Sequence, residues 1–397
     1  MNSVIENNRE WIDKTWEKVD KKLQRVAVKS RNKLPSMTIN GTHDDQYSQG
    51  HAEWWTNGFW GGMMWIMYNL TKNEEYRITA ENCEKLMDEA LKNYKHLHHD
   101  VGFMWQLTSG ANYRLTGNEA SYTKNLFLAA TLSARYNIKG GYIRAWNSEE
   151  LGNFTIIDTM MNLPLLYWAS REIEDPRFKH VAEAHVDMVL REHMREDGSV
   201  NHVVEHSPET GEVVRVVDGV TVIDQETGKS KFVMVCQGYS PESSWTRGLG
   251  WAIYGLTLSY IHTGKKEYLN AAVKSANYFI ANSIPYNFLT PIDFRAPKEP
   301  LMYDSTAGVC VACGLLELAK LVSKPEAEMY ADAAIKILKA TDKHFCDYSE
   351  EEDGLVMMGS AAYPHDKNEL VHTNLIYGDF FYVEALAKLK GSDFLIW

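Results

Sequence analysis

Apolar residues recur at i, i+3, i+4 and i+7 along most of the chain, between short polar interruptions, and this spacing predicts helices. They fall near 4–27, 57–71, 74–94, 108–116, 118–137, 155–172, 175–194, 242–263, 265–282, 303–322, 325–346 and 373–390. The interruptions at 70–76, 115–122, 173–178, 262–268 and 322–330 share one design. A Gly, Asn, Asp or Ser ends one helix, an acid or Pro begins the next, and an aromatic packs back over the junction. These are the turns of helical hairpins.

The helix before each turn is rich in Trp, Gly, Met and Leu with few charges, as in the run from Gly58 through Trp60, Met64 and Trp65 to Tyr68. The helix after it is amphipathic. Helices apolar on all sides alternating with helices that keep one wet face describe an inner and an outer ring. The chain therefore reads as all-α, one (α/α)6 barrel or six-hairpin toroid spanning 1–397 as a single domain. Residues 195–240 break the helical period with glycines and β-branched runs, which predicts one or two inserted β-hairpins. Residues 283–302 and 347–372 read as turn-rich loops, and such connections gather at one end of a toroid and build its site.

Charge narrows the function. Lys and Arg total 41 against 53 Asp and Glu, a net charge of −12 with no dense basic run, so no nucleic-acid partner is expected. The polar, acidic start lacks a signal-like apolar core, and no stretch approaches the roughly 18 apolar residues of a membrane span. The expected location is cytoplasmic, without membrane attachment. Five scattered cysteines do not form a disulfide framework, and Cys310 and Cys313 lie in an apolar helical run with no second pair to complete a zinc site. They read as core. The 12 Trp, 21 Tyr and 13 Phe either fill a large core or line a groove where flat faces stack on sugar rings.

Two carboxylates draw attention. Asp100 closes His98-His99-Asp100 at a loop before an apolar segment, and Asp158 sits inside the apolar run from Phe154 to Leu165. A charge there costs several kcal/mol unless paired or functional. Desolvation favours a protonated carboxyl, which suits a general acid; the alternative is a helix-start acid satisfied by backbone N–H groups. The densest polar-aromatic cluster runs from Gln237 to Trp251 and includes Trp245 and Arg247 at the start of a helix. Those two side chains are expected to project into the toroid mouth, while Ser240, Glu242 and Ser243 are capping candidates.

These motifs resemble the unsaturated glucuronyl hydrolases, a glycosidase family with an (α/α)6-barrel fold. The likeness runs from Trp54-Trp55-Thr56-Asn57-Gly58-Phe59-Trp60 through His99-Asp100-Val101-Gly102-Phe103, Ala145-Trp146 and Ile157-Asp158 to the Gln237–Trp251 cluster and Tyr377-Gly378-Asp379. The resemblance implies a substrate ending in a 4,5-unsaturated uronic acid, as polysaccharide lyases leave it, of glycosaminoglycan type. It implies hydration of the C4=C5 vinyl ether, in which an Asp protonates C4, water adds at C5, and the hemiketal opens and expels the aglycone. Asp158 then matches the acid/base and Asp100 the second aspartate. Trp55 and Trp146 match stacking positions, His202 an active-site histidine, and Gln237 and Arg247 polar substrate neighbours, with the uronate carboxylate as partner for Arg247. Trp245 and Trp251 would wall the pocket. No metal and no cofactor are implied, and a closed toroid is compatible with a monomer.

The late loop, Tyr363-Pro364-His365-Asp366-Lys367-Asn368, departs from the resemblance by lacking the Ser-rich segment that faces a sulfate in some relatives. The nearest alternative is an unsaturated rhamnogalacturonyl hydrolase acting on pectin fragments, against which the Gln237–Trp251 cluster speaks. A sugar epimerase on the same toroid would need paired histidines, and the adjacent His98 and His99 are expected to point apart.

Overall fold

The computed structural model describes residues 1–147, 153–217, 220–223, 230–233, 237–364 and 370–397. Its α-helices in chain order are α1 (Asn2–Glu6), α2 (Arg9–Lys29), α3 (Asn57–Thr71), α4 (Glu74–Met87), α5 (Ser109–Thr116), α6 (Glu119–Ser133) and α7 (Pro164–Glu172). They continue as α8 (Arg177–Glu192), α9 (Thr246–Thr263), α10 (Lys266–Ser283), α11 (Ser305–Leu318), α12 (Lys324–His344) and α13 (Ile376–Leu389).

The odd-numbered helices from α3 to α13 form the inner ring. Every residue of α11 is buried, and so is every residue of α9 from Thr246 to Ser259. The ring closes because α13 packs on α3 and, on its outer side, on α2, so the first long helix completes the last hairpin. Buried apolar side chains form one continuous cluster through both rings, which is the expected toroid.

The repeated turns explain how the outer ring is held. Asn73 and Asn118 cap α4 and α6 by accepting backbone N–H groups, and Gly117 and Gly264 end α5 and α9 in the left-handed region at φ of 75° and 73°. At three of these turns the aromatic is buried and its hydroxyl reaches the preceding outer helix. The Tyr76 hydroxyl donates to Asp20 at 2.7 Å, Tyr268 to Asp187 at 2.7 Å and Tyr330 to Asn277 at 3.0 Å. One sequence motif therefore both turns the hairpin and ties it to its neighbour.

The segment expected as a helix over 155–172 is different. Phe154–Ile156 is a strand, Ile157–Met161 a 3₁₀ turn, and the helix begins only at Pro164. The strand pairs antiparallel with Val203–His206, which pairs in turn with Val213–Val217, so the inserted hairpin recruits this segment into a three-stranded sheet. Its β-branched residues, Thr155, Ile156 and Ile157, fit that pairing. A second hairpin joins Val220–Ile223 to Ser230–Val233. A satellite core of Ala145, Phe154, Ile156, Val203 and Val217 lies under the sheet, with Trp146 packed against it.

Cys83, Cys310, Cys313 and Cys346 are free thiols, and Cys236 lies outside the described residues. Burial pushes the Cys310 and Cys313 thiols well above their ordinary range, as expected of core residues. Among the described residues no helix is long and apolar enough to cross a membrane.

Candidate active site

The 3₁₀ turn that follows the strand Phe154–Ile156 places Asp158 at the end of the toroid where the inserted sheet lies. Asp158 is 8% exposed, and its Oδ1 has no hydrogen-bond partner among the described residues. A buried polar oxygen left in this state requires a reason. His202 stands beside it with Nε2 3.4 Å from that Oδ1. The sheet register fixes this approach, because the Ile157 N–H donates to the His202 carbonyl at 3.0 Å. The Gln237 backbone N–H donates to His202 Nδ1 at 3.3 Å, so a neutral ring carries its proton on Nε2, facing Asp158.

Asp100 belongs to the same cluster. Its Oδ2 lies 3.2 Å from His98 Nδ1 and 3.3 Å from His99 Nε2, so the two histidines converge on one oxygen instead of pointing apart. Adjacent side chains diverge in extended backbone, but this segment is a turn leading into the π-helical Gly102–Gln106. Burial alone would push the Asp100 carboxyl up, yet His99, His98 and Asn162 outweigh it and hold the group below the usual carboxylate range. Burial pushes His99 down to about 4, against the opposing charge of Asp100, so its ring is neutral at neutral pH.

Asn162, absent from the sequence-derived candidates, connects the two aspartates. Its amide nitrogen donates to Asp100 Oδ1 at 3.1 Å and to the Asp158 backbone carbonyl at 3.3 Å, while its Oδ1 accepts the Phe103 N–H at 2.7 Å. Gly102 makes room for it, since a Cβ there would meet the Asn162 Cα at 2.5 Å. A polar amide four residues after Asp158 in the same apolar run was the available signal.

The aromatic candidates divide by position. Trp55 is partly exposed and rests on Tyr377, ring centroids 5.2 Å apart, and on Phe59 and Phe103. Trp146 is partly exposed at the edge of His99, 6.4 Å between centroids. Arg135 secures that loop. It donates to the carbonyls of Arg144, Ala145 and Trp146 at 3.0 Å each, and to the Leu97 carbonyl at 3.3 Å, so one buried guanidinium binds the Trp146 segment to the segment before Asp100. Trp245 is sandwiched between His202 at 4.1 Å and the Arg247 guanidinium at 4.5 Å. Trp251, expected to wall the pocket, is fully buried against Phe103 and Phe381.

Arg247 also departs from expectation. It is 1% exposed, and its Nη1 lies 2.6 Å from Asp304 Oδ2 and donates to the Ser360 carbonyl, while Nη2 donates to the Ala361 carbonyl. The carboxylate it holds is the protein's own. Desolvation works against its charge, but Tyr377, Asp304 and Asp158 together more than offset this and raise its pKa. The guanidinium continues the stack with Tyr377, 5.2 Å from that ring, giving the unbroken series His202, Trp245, Arg247, Tyr377, Trp55 beneath the mouth. Gln237 fastens the late loop by donating to the Ala361 carbonyl at 3.1 Å and accepting the Tyr363 N–H at 2.8 Å. His365, Asp366, Lys367 and Asn368 lie outside the described residues.

The arrangement can do acid–base chemistry. It offers a buried carboxyl beside an imidazole, a second aspartate held ionised by His98, His99 and Asn162, and two partly exposed indoles for a sugar face.

No protein-family model matches the chain. The chain is 34% identical over 351 residues to the unsaturated glucuronyl hydrolase of Bacillus sp. (strain GL1), covering 86% of this chain and 88% of that protein. It is 28% identical over 388 residues to the unsaturated chondroitin disaccharide hydrolase of Streptococcus pneumoniae (strain ATCC BAA-255 / R6), covering 96% and 92%. Among solved structures, an unsaturated glucuronyl hydrolase specific for heparin superposes with a TM-score of 0.82 at 27% identity, covering 97% of this chain and 99% of that one.

Proposed function

The chain belongs to the unsaturated glucuronyl hydrolases, and from that membership we propose that it removes the terminal 4,5-unsaturated uronic acid from lyase-generated glycosaminoglycan fragments. The observation that carries the proposal is the buried carboxyl of Asp158, its Oδ1 3.4 Å from His202 Nε2 and its backbone tied through Asn162 to Asp100. A protonated Asp158 gives its proton to C4 of the vinyl ether. Water adds at C5 and returns a proton to the Asp158 carboxylate, and the hemiketal opens to release the aglycone. One carboxyl both gives and takes the proton, so the carboxylate spacing that separates retaining from inverting glycosidases does not govern this reaction.

Asp100, kept ionised by His98, His99 and Asn162, accepts hydrogen bonds from ring hydroxyls. Trp146 and Trp55 offer stacking faces, and His202 stabilises the Asp158 carboxylate through Nε2–H. Gln237 and Trp245 hold His202 in place, and Arg247 acts from below as a fixed positive charge near Asp158. No step needs a metal or a cofactor. We also assign the protein to the cytoplasm as a monomer, a reading supported by its net charge of −12 and by free thiols at Cys83, Cys310, Cys313 and Cys346.

The test is loss of the ultraviolet absorbance of the conjugated uronate on unsaturated disaccharides from hyaluronan, chondroitin, heparin and pectin lyase digests. A fall with a glycosaminoglycan digest supports the proposal and identifies the substrate. A fall with the pectin digest alone replaces it with the rhamnogalacturonyl activity.

A further inference from the structure

We propose that His98, His99 and Asp100 form a binding site for a divalent transition-metal ion of the zinc class. Each residue presents a ligand atom within 4.8 Å of the other two. The distances from Asp100 Oδ2 to His98 Nδ1 and His99 Nε2 are 3.2 and 3.3 Å. Four ligands set tetrahedrally about 2.0–2.1 Å from a zinc ion stand about 3.3 Å from one another, so two edges of such a polyhedron already exist. Two imidazoles and one carboxylate favour zinc-like ions over magnesium or calcium, which prefer oxygen sets.

A surrounding layer of hydrogen bonds supports the arrangement. His99 Nδ1 lies 2.9 Å from Thr159 Oγ1, and Asn162 donates to the other oxygen of Asp100. The Thr159 hydroxyl can accept as well as donate, so His99 can keep its proton on Nδ1 and turn the Nε2 lone pair to the ion. The His98 side chain is 24% exposed against 2% for His99, so the site opens on one side and leaves a fourth position for water.

An ion seated there would occupy the carboxylate that the proposed reaction uses. Inhibition of turnover is therefore the expected consequence, and that part alone rests on the proposed function. Binding itself is tested without it.

The experiment is calorimetric titration of zinc chloride into the intact protein in a non-chelating buffer, with wild type, His98→Ala and His98→Gln, each checked by circular dichroism. The expected result is one ion per wild-type chain, with affinity lowered on the order of 10- to 100-fold or more in both variants. Two variants guard against a fold lost in one. Cobalt chloride should give the absorption bands of a low-symmetry, tetrahedral-type ion in wild type only. No binding by wild type, or equal affinity and stoichiometry in a folded His98 variant, would overturn the assignment.

Discussion

His202 Nε2 stands 3.4 Å from Asp158 Oδ1, and its other ring nitrogen accepts the backbone N–H of Gln237. Three distant stretches of chain meet in this contact: the strand-edge turn, the inserted hairpin and the loop before α9. The inserted sheet thus has a definite task, which is to carry a histidine with a fixed tautomer to the buried carboxyl.

Arg247 is expected to act on stability before it acts on substrate. Replacing it with Ala would strand Asp304, which is fully buried, next to no compensating charge. Breaking one side of a buried pair costs about 3–5 kcal/mol. The check is the urea midpoint of Arg247→Ala against wild type. Unchanged stability with a raised KM confined to charged substrates would return Arg247 to the substrate-binding role first expected of it.

Arg135 is expected to act on binding. Its guanidinium fixes the Trp146 loop against the segment leading to Asp100, so Arg135→Ala should raise KM by roughly tenfold while kcat falls less, equivalent to about 1.4 kcal/mol of lost binding. Arg135→Lys should restore little, because an ammonium lacks the planar fork that serves several carbonyls. Steady-state kinetics on folded variants decides this, and an unchanged KM in Arg135→Ala would contradict it.

Stability should fall as the solution becomes acidic. Burial depresses His193 to about 3 and His99, His206 and His262 to about 4, so all four stay neutral in the fold while the unfolded chain takes up protons below its ordinary histidine pKa. The unfolded state then binds more protons, and each one removes up to about 1.4 kcal/mol of stability per pH unit between about pH 6.5 and 4. Asp379, pushed up to about 7 by burial, binds an extra proton in the folded state over the same window and cancels one of the four. Denaturant midpoints at about pH 7 and about pH 5 measure the net slope, which should be positive with pH.

Chelation should not lower activity. The proposed hydration needs a proton donor and water, so dialysis against EDTA is expected to preserve turnover, and any zinc held at His98 would be relieved as an inhibitor. Activity lost on EDTA treatment and restored by one metal would show that the reaction itself uses an ion.

The toroid was legible because its information is local. Inner helices such as α11 are apolar on every side, and each turn carries its own cap and aromatic. Asp158 was legible for a related reason, as a carboxyl inside an apolar run. Its true setting was not, because the strand partner that overrides the helical period lies far along the chain in Val203–His206. Sequence spacing does not connect Arg247 to Asp304, the carboxylate it holds, because the two lie 57 residues apart. Adjacent side chains point apart in extended backbone, but the chain turns at His98 and His99 and brings them together. Asn162 carries the same local signal as Asp158, a polar side chain inside an apolar run.

The proposed reaction turns on proton transfer by Asp158. The most direct test is the ultraviolet absorbance of the preferred unsaturated disaccharide followed with wild-type protein and with Asp158→Asn, which keeps the shape and deletes the acid. Wild type should give a steady fall, and the variant a loss of at least about 1,000-fold in kcat, roughly 4 kcal/mol of barrier, with its thermal midpoint preserved. Wild-type rates from pure, folded Asp158→Asn would contradict it.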